Sequence, residues 1–339
     1  MSNRSFCQKD EFQNSEENGE VSISFLGVET VDFHLSSRRS NALFQHHDGT
    51  SGTAKAAVMR DYADKLHGSL WAMNELMQIQ VIKLLENNVA VSETVQCEML
   101  IDYQQPDPYD LPIKRMVNVS NHLIPVVIYN SLTVKRKDHI MKILVSNPNI
   151  EVLDSQHLPI EYEMHPIVNG HNLDIEGYYA YFKYDLQPLS LTTFFLKGTT
   201  VISPNLAKIQ IVSDHPTDKL DQFMEVHSIS KSSFDQNPEI SLFNDYFTIT
   251  LSSRNGLIKE LAIGTAATHT IQLGESLLEY SAVGGAYLFL PKSITELSAS
   301  KKAKTVVATI GRLVSTSTSF FPDSVPSRSV TVYNTGLLN

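Results

Sequence analysis

His46, His47 and Asp48 stand consecutively in the stretch "NALFQHHDGTSGTAKAAVMRDY" (residues 41–62), followed at once by the hydroxyls of Thr50, Ser51 and Thr53. Two imidazoles and a carboxylate have the chemistry to bind a metal, to accept hydrogen bonds from sugar hydroxyls or to relay a proton. A simpler chemistry competes for the same residues. Asp48, Thr50, Ser51 and Thr53 are types that cap a helix by accepting hydrogen bonds from its first free amides. The metal reading makes His47 a ligand and Asp48 a ligand or substrate acceptor. Zinc takes four ligands, at least three of them usually from protein, and three consecutive side chains are not expected to converge on one ion. Further ligands are therefore expected elsewhere, yet the other histidines show no paired metal spacing and no "HExxH" occurs.

The remaining polar groupings offer less. Glycoside hydrolysis needs two opposed carboxylates, and Asp102, Asp107 and Asp110 cluster in the Pro-rich "QQPDPYDLP", which reads as a solvated linker. In "IEYEMHP" strand alternation puts Glu161 and Glu163 on one face, expected to be exposed, and Ile160, Tyr162 and Met164 on the other. No nucleophile elbow, phosphate loop or dinucleotide fingerprint is present. The basic runs around Lys135 to Lys137 and Lys301 to Lys304 read as solvated turns. "GGAYLFLP" (residues 284–291) reads as a buried strand whose paired glycines allow close backbone packing.

These groups must be positioned by the elements around them. Between Thr53 and about Asn87 no proline occurs, and Val58, Tyr62, Leu66, Leu70, Met73, Met77, Val81 and Leu84 recur in steps of three or four. That spacing predicts one long amphipathic helix. No second helix is obvious, so its apolar stripe needs a partner among the strands or outside the chain. Residues 1–20 are polar and acidic and are expected to be disordered. "VSISFLGVETVDFHL" (residues 21–35) alternates weakly, as a strand without partners would. Beyond Leu111 many short β-branched and aromatic runs alternate with turn residues, which predicts a β-sandwich or stacked sheets. Asn255-Gly256 is expected to form a two-residue hairpin turn. The fold class is α+β, a long helix followed by a large all-β region. Domains are expected at 1–30 (disordered or partial), 31–105 (helical), 112–200 (β-sandwich) and 201–339 (a further β domain).

Composition narrows the partners. With 27 Lys and Arg against 37 Asp and Glu, the formal charge is −10, which argues against nucleic-acid binding. No apolar run approaches the roughly 20 residues of a membrane helix, and no export signal is apparent. Cys7 and Cys97 are the only cysteines and are expected as free thiols. Asn3 and Asn118 head glycosylation sequons, "NRS" and "NVS".

Several stretches together resemble the class II α-mannosidases, glycoside hydrolase family 38, and lean toward the Golgi type. They are "RRSNALFQHHDGTSGTAKAAVMRDYADKL", "IPVVIYNSLTVKRKDHIMKILVSNPNIEVLD", "YYAYFKYDLQPLSLTTFFL", "NDYFTITLSSRNGLIKEL" and "GGAYLFLP", in the family's order along nearly the whole chain after Leu35. The resemblance implies that residues 31–105 are part of a three-helix bundle, with 31–44 as the approach to it. It implies that His47 is a zinc ligand, that Asp48 contacts the sugar at the metal, and that His46 lines or orients the pocket. The implied chemistry is zinc-dependent retaining hydrolysis of α-mannosyl bonds of N-glycans in the Golgi lumen. The resemblance places the family's "His-x-Asp" zinc motif, nucleophilic Asp and acid Asp in an N-terminal α/β domain that no stretch of this sequence resembles, so no catalytic residue is assigned. The isolated chain is expected to hold zinc weakly and not to cleave mannosides. Thr50-Ser51 replaces the family's larger apolar residue before Gly-Thr, which would loosen the pocket floor unless Ser51 caps the helix. The alternative is a non-catalytic paralogue whose β domains bind glycan or serve structurally.

Overall fold

The computed structural model describes residues 28–86, 99–201, 205–213, 226–230, 239–264, 269–285, 287–288, 290–297, 303–322 and 326–334. Cys7, Cys97, the sequon at Asn3 and the expected disordered stretch 1–20 lie outside the described residues. The chain divides into two compact units. One comprises residues 1–115 with 282–291, and the other comprises 116–281 with 292–339.

Among the described residues of the first unit three helices occur: α1 (Val28–Phe44), the single turn α2 (His47–Thr50) and α3 (Ala56–Glu86). The long helix expected from Thr53 to Asn87 is α3. The segment 21–35, read as a strand, is instead helical from Val28 onward. Its weak alternation competed with an unbroken run lacking Pro and Gly between Val28 and Gln45. Tertiary packing decided the outcome, because α1 lies antiparallel on α3 and gives that helix the helical partner that was not expected. Ser37 Oγ donates to Ser69 O at 3.5 Å, and the Phe44 and Tyr62 rings meet edge to face at 5.7 Å. Of the apolar stripe on α3 only Tyr62 is buried, while Val58, Leu70, Met77 and Leu84 stay exposed beside Trp71. Short strands Tyr103–Gln104 and Ile113–Lys114 pair antiparallel at the end of this stretch. Tyr109 ties the intervening loop to α3 by donating to Asp64 Oδ1 at 3.0 Å.

The described residues of the second unit form strands and no helix. A four-stranded sheet orders Met116–Val117, Arg136–Val145, Ile175–Leu186 and Tyr162–Val168, and a three-stranded sheet orders Ile124–Asn130, Ser190–Gly198 and Ile150–Leu153. Ile143, Val145, Met164, Phe182 and Leu186 of the first sheet pack on Ile128, Ile150, Val152, Phe194 and Leu196 of the second. This is the face-to-face burial that stabilises a sandwich. A five-stranded sheet orders Val226–Ser230, Lys208–Ser213, Thr305–Ile310, Val314–Phe320 and Arg328–Tyr333. Its core is shared with Glu239–Phe243 and Phe247–Ser252 through Val212, Ile240, Leu242, Leu251, Val306 and Val332. Val168, Leu173, Ile209, Ile211 and Val307 join the two layered regions.

Three local expectations change. The 255–256 hairpin exists, but its loop covers residues 253–257, because Gly256 (φ 69°) donates to Ser252 O and Leu251 pairs with Ile258 across a bulge. Arg136 and Lys137, read in a turn, open a strand that is irregular at Asp138 (φ 52°). Glu163, expected on a solvent face, is 5% exposed. Alternation did place it with His165 on one side of its strand. That side, however, is covered by the loop entering strand Val314–Phe320. The carboxylate accepts hydrogen bonds from the amides of Arg312 (2.7 Å), Leu313 (2.8 Å) and Val314 (2.8 Å) and from His165 Nε2 (2.8 Å). Glu161 remains exposed and pairs with Arg312.

Candidate functional site

Glycine makes the turn that presents the histidines. Gly49 is buried, and a Cβ there would stand 2.6 Å from Phe44 O and 3.2 Å from the Tyr62 ring. Only a residue without a side chain lets α2 settle against the junction of α1 and α3. Gly52 has φ 69°, the left-handed conformation that reverses the chain into α3. Backbone bonds close the loop: Gly49 N and Thr50 N to His46 O, Gly52 N to Gly49 O, and Ala54 N to Asp48 O.

The capping reading of the hydroxyls is not what the loop does. Asp48 Oδ1 accepts from Thr53 Oγ1 at 2.7 Å, and Ser51 Oγ bonds His47 O and lies 2.8 Å from Thr53 Oγ1. These groups brace one another rather than serve the free amides of α3. The expected service of Ser51 as a helix cap is therefore replaced by a brace on His47. The physical reason is the loop between α2 and α3, which sets Asp48 too far before Ala56 to reach the first helical amides.

The three side chains expected to diverge converge instead. His46 Nε2 lies 3.5 Å and His47 Nε2 3.8 Å from Asp48 Oδ2. One donor atom from each of the three residues lies within 4.8 Å of the others, the metal-capable group found among the described residues. Successive Cα atoms point apart, but two long imidazoles reach back over the short turn, their rings 4.2 Å apart. Zinc–nitrogen and zinc–oxygen bonds of tetrahedral sites place neighbouring donors about 3.4 Å apart. Two imidazole nitrogens and one carboxylate oxygen are donor types that zinc takes, and the two nitrogen–oxygen separations of 3.5 and 3.8 Å are near that spacing. His47 is the most open of the three, its side chain 84% exposed.

A fourth residue belongs to the cluster and was missed from sequence. Tyr287 donates its phenolic hydroxyl to Asp48 Oδ1 at 2.7 Å. The segment 284–291 had been read as a buried core strand. Its described residues form an exposed turn and the start of a strand instead: Leu288 N donates to Gly285 O at 3.3 Å, a Cβ on Gly284 (φ 144°) would lie 2.4 Å from Leu288 O, Tyr287 is 78% exposed, and the exposed strand Leu290–Glu296 begins only at Leu290. Residues 282–291 belong to the same compact unit as the histidines. The paired glycines at 284 and 285 were the available signal, since such pairs punctuate turns more often than they build strands.

Hydrogen bonds set the electrostatics. Those from Thr53 and Tyr287 hold the Asp48 carboxyl below its ordinary range, partial burial opposes them, and His47 and His46 add to the lowering. Asp48 is thus an anion with one oxygen fully engaged and the other facing both imidazoles. That arrangement holds a cation or accepts the hydroxyls of a polyol. The cluster contains a single carboxylate, so it does not hold the acid–nucleophile pair that retaining glycoside hydrolysis uses.

The other acidic grouping is dispersed. Asp102 pairs with Lys114, Asp107 accepts from the Tyr109 amide, and Asp110 closes a turn through its own amide to Asp107 O.

No protein-family profile matches the chain. Individual sequences do. The chain is 25% identical over 308 residues to the human "Alpha-mannosidase 2", covering 88% of this chain and 26% of that protein. It is 27% identical over 292 residues to the Drosophila melanogaster "Alpha-mannosidase 2", covering 79% and 26%. The "Lysosomal alpha-mannosidase" of Dictyostelium discoideum is 26% identical over 276 residues, covering 77% and 25%. The chain thus spans about a quarter of the length of the curated relatives it matches.

Proposed function

As an α-mannosidase 2-like member of glycoside hydrolase family 38, this chain supplies, we propose, the His46–His47–Asp48–Tyr287 wall of a zinc-dependent mannose site. The activity it serves in this reading is retaining hydrolysis of α-mannosyl bonds of N-glycans in the Golgi lumen. The observation that carries the proposal is the convergence of two imidazoles and a tyrosine hydroxyl on one low-pKa carboxylate.

His47 holds the metal, Asp48 binds the sugar beside it, and His46 orients the pair. When bound, zinc supplies a Lewis acid that grips and polarises the substrate's oxygens. The chain's own residues do the rest of the local work. The Thr53 and Tyr287 hydroxyls fix the Asp48 carboxylate so that Oδ2 faces the imidazoles and the open side of the cluster. An anion held in this way accepts hydrogen bonds from vicinal sugar hydroxyls without reorganising, which is where positioning contributes to catalysis. Gly49 and Gly52 allow the turn its close approach and left-handed backbone, and the bonds to His46 O, Gly49 O and Asp48 O hold it.

One assigned ligand on an open surface, with His46 and Asp48 beside it, binds zinc more weakly than four ligands in a closed site. Zinc added to the purified chain is expected to shift the His46 and His47 ring resonances in proton NMR, and to leave those of His165 and His171 in place. Equal shifts at every exposed histidine, or none at His47, would sink the assignment. With one carboxylate in the cluster, the isolated chain is expected not to turn over an aryl α-mannoside. Turnover abolished by His47→Ala would overturn that expectation.

A further inference from the structure

Asn118 heads the sequon Asn118-Val119-Ser120, and the fold presents both sequon side chains at the surface. Strand Met116–Val117 pairs in parallel with Arg136–Val145, and Ser146 N donates to Val117 O at 3.1 Å. Val117 and Val119 pack against the sandwich core, whereas Asn118 and Ser120 are exposed. The alternation of an extended chain therefore turns both sequon side chains outward while the valines anchor the backbone. Gly198 N holds Ser120 O at 2.7 Å. The Ser120 hydroxyl accepts a long bond of 3.4 Å from His122 N and keeps its own proton free.

Several asparagines elsewhere in this unit work for the fold. Asn130 is 1% exposed and donates to Val134 O and Gln187 O. Asn147, Asn169, Asn172 and Asn244 each accept from a backbone amide two residues on, the local turn in which asparagine is favoured. Among the described residues the Asn118 amide has no hydrogen-bond partner at all. Among the described residues no contact requires asparagine at this position, and its side chain is exposed.

We infer that Asn118 is an N-glycosylation site. Its amide nitrogen attacks the anomeric carbon of a lipid pyrophosphate-linked oligosaccharide. The new carbon–nitrogen bond replaces the sugar–phosphate bond, the lipid pyrophosphate departs with the electron pair, and the amide loses one proton to the transferase. The attached oligosaccharide then projects from the surface beside the edge strand Met116–Val117 and hinders pairing of a further strand there. The inference rests on the luminal location proposed above.

The full chain is expressed in animal cells in two forms, one as it stands and one behind a cleavable secretory leader, with entry into the lumen scored by protease protection. The tryptic peptide 116–135 is then analysed before and after peptide N-glycosidase. In the leader-directed form it is expected to carry glycan on most molecules. Asn118→Gln and Ser120→Ala should each reduce occupancy to nothing, and Ser120→Thr should preserve it. A leader-directed chain that is protected from protease yet unmodified at Asn118 overturns the inference. Glycan in the leader-directed form alone supports the acceptor site while counting against the luminal location of the chain as it stands.

Discussion

Tyr287 reaches Asp48 across 239 residues of chain with a 2.7 Å hydrogen bond. The bond joins a turn late in the sequence to the loop between the first helices, within a single compact unit. It makes Asp48 a carboxylate whose two oxygens have different tasks. Oδ1 is committed to Thr53 and Tyr287, and Oδ2 is left to the imidazoles and to a ligand.

Removing the tyrosine hydroxyl should be felt at Asp48 rather than in the fold. Tyr287→Phe leaves the ring and is expected to weaken zinc binding by roughly threefold to tenfold, the scale of one lost hydrogen bond to an ion. Calorimetric titration of the two proteins measures it. An unchanged affinity would mean that the bond does not order the carboxylate.

The histidines should be unequal. His47→Ala removes the assigned ligand and should abolish measurable zinc binding. His46→Ala removes an orienting neighbour and should cost about 10- to 100-fold. Equilibrium dialysis against buffered zinc distinguishes them. Greater loss in His46→Ala would transfer the ligand role to His46.

Glu163 should control acid stability. Burial alone raises its pKa, but the His165 hydrogen bond and the Leu313 and Val314 amides outweigh it and hold the carboxyl below the usual range. With its folded pKa below the unfolded value of about 4.3, the charged form favours the native state. That contribution is fully present above the unfolded value and is lost as pH falls below it through the lower folded pKa. Glu163→Gln leaves backbone donors poorly matched and should cost about 2–4 kcal/mol at pH 7. The variant should also flatten the acid limb of a plot of stability against pH. Gly311→Ala attacks the same contact from the other side, since its Cβ would stand 2.5 Å from Glu163 Oε1. Chemical denaturation between pH 3 and pH 7 tests both. Parallel curves for wild type and Glu163→Gln would remove Glu163 from the account.

Phe182 is fully buried between the two sheets of the sandwich, its ring 5.1 Å from Phe194. Phe182→Ala should destabilise the unit by about 3–5 kcal/mol. A loss under about 1 kcal/mol in urea unfolding would show that the site collapses around the deletion.

Much of this architecture is legible in the residues themselves, because period and punctuation are local properties. The three- and four-residue steps from Val58 to Leu84 foretell α3, and β-branched runs such as 190–198 foretell the sheets. What escapes is decided by residues distant in sequence. The run 28–44 becomes a helix because α3 lies beside it, and Glu163 is buried because a loop about 150 residues away covers it. The site divides in the same way. His46, His47 and Asp48 are adjacent in sequence, so their chemistry can be suspected, but their convergence depends on the Gly49 and Gly52 backbone. Tyr287 is not readable at all until the turn at Gly284 is seen to deliver it.

The most direct test of the proposed site is X-ray absorption at the zinc edge of the zinc-loaded chain, beside His47→Ala prepared in the same way. The account predicts a first shell of nitrogen and oxygen at about 2.0–2.1 Å with the outer-shell scattering of coordinated imidazole, which His47→Ala should lose. A first shell without imidazole scattering, or one unchanged in His47→Ala, would contradict it.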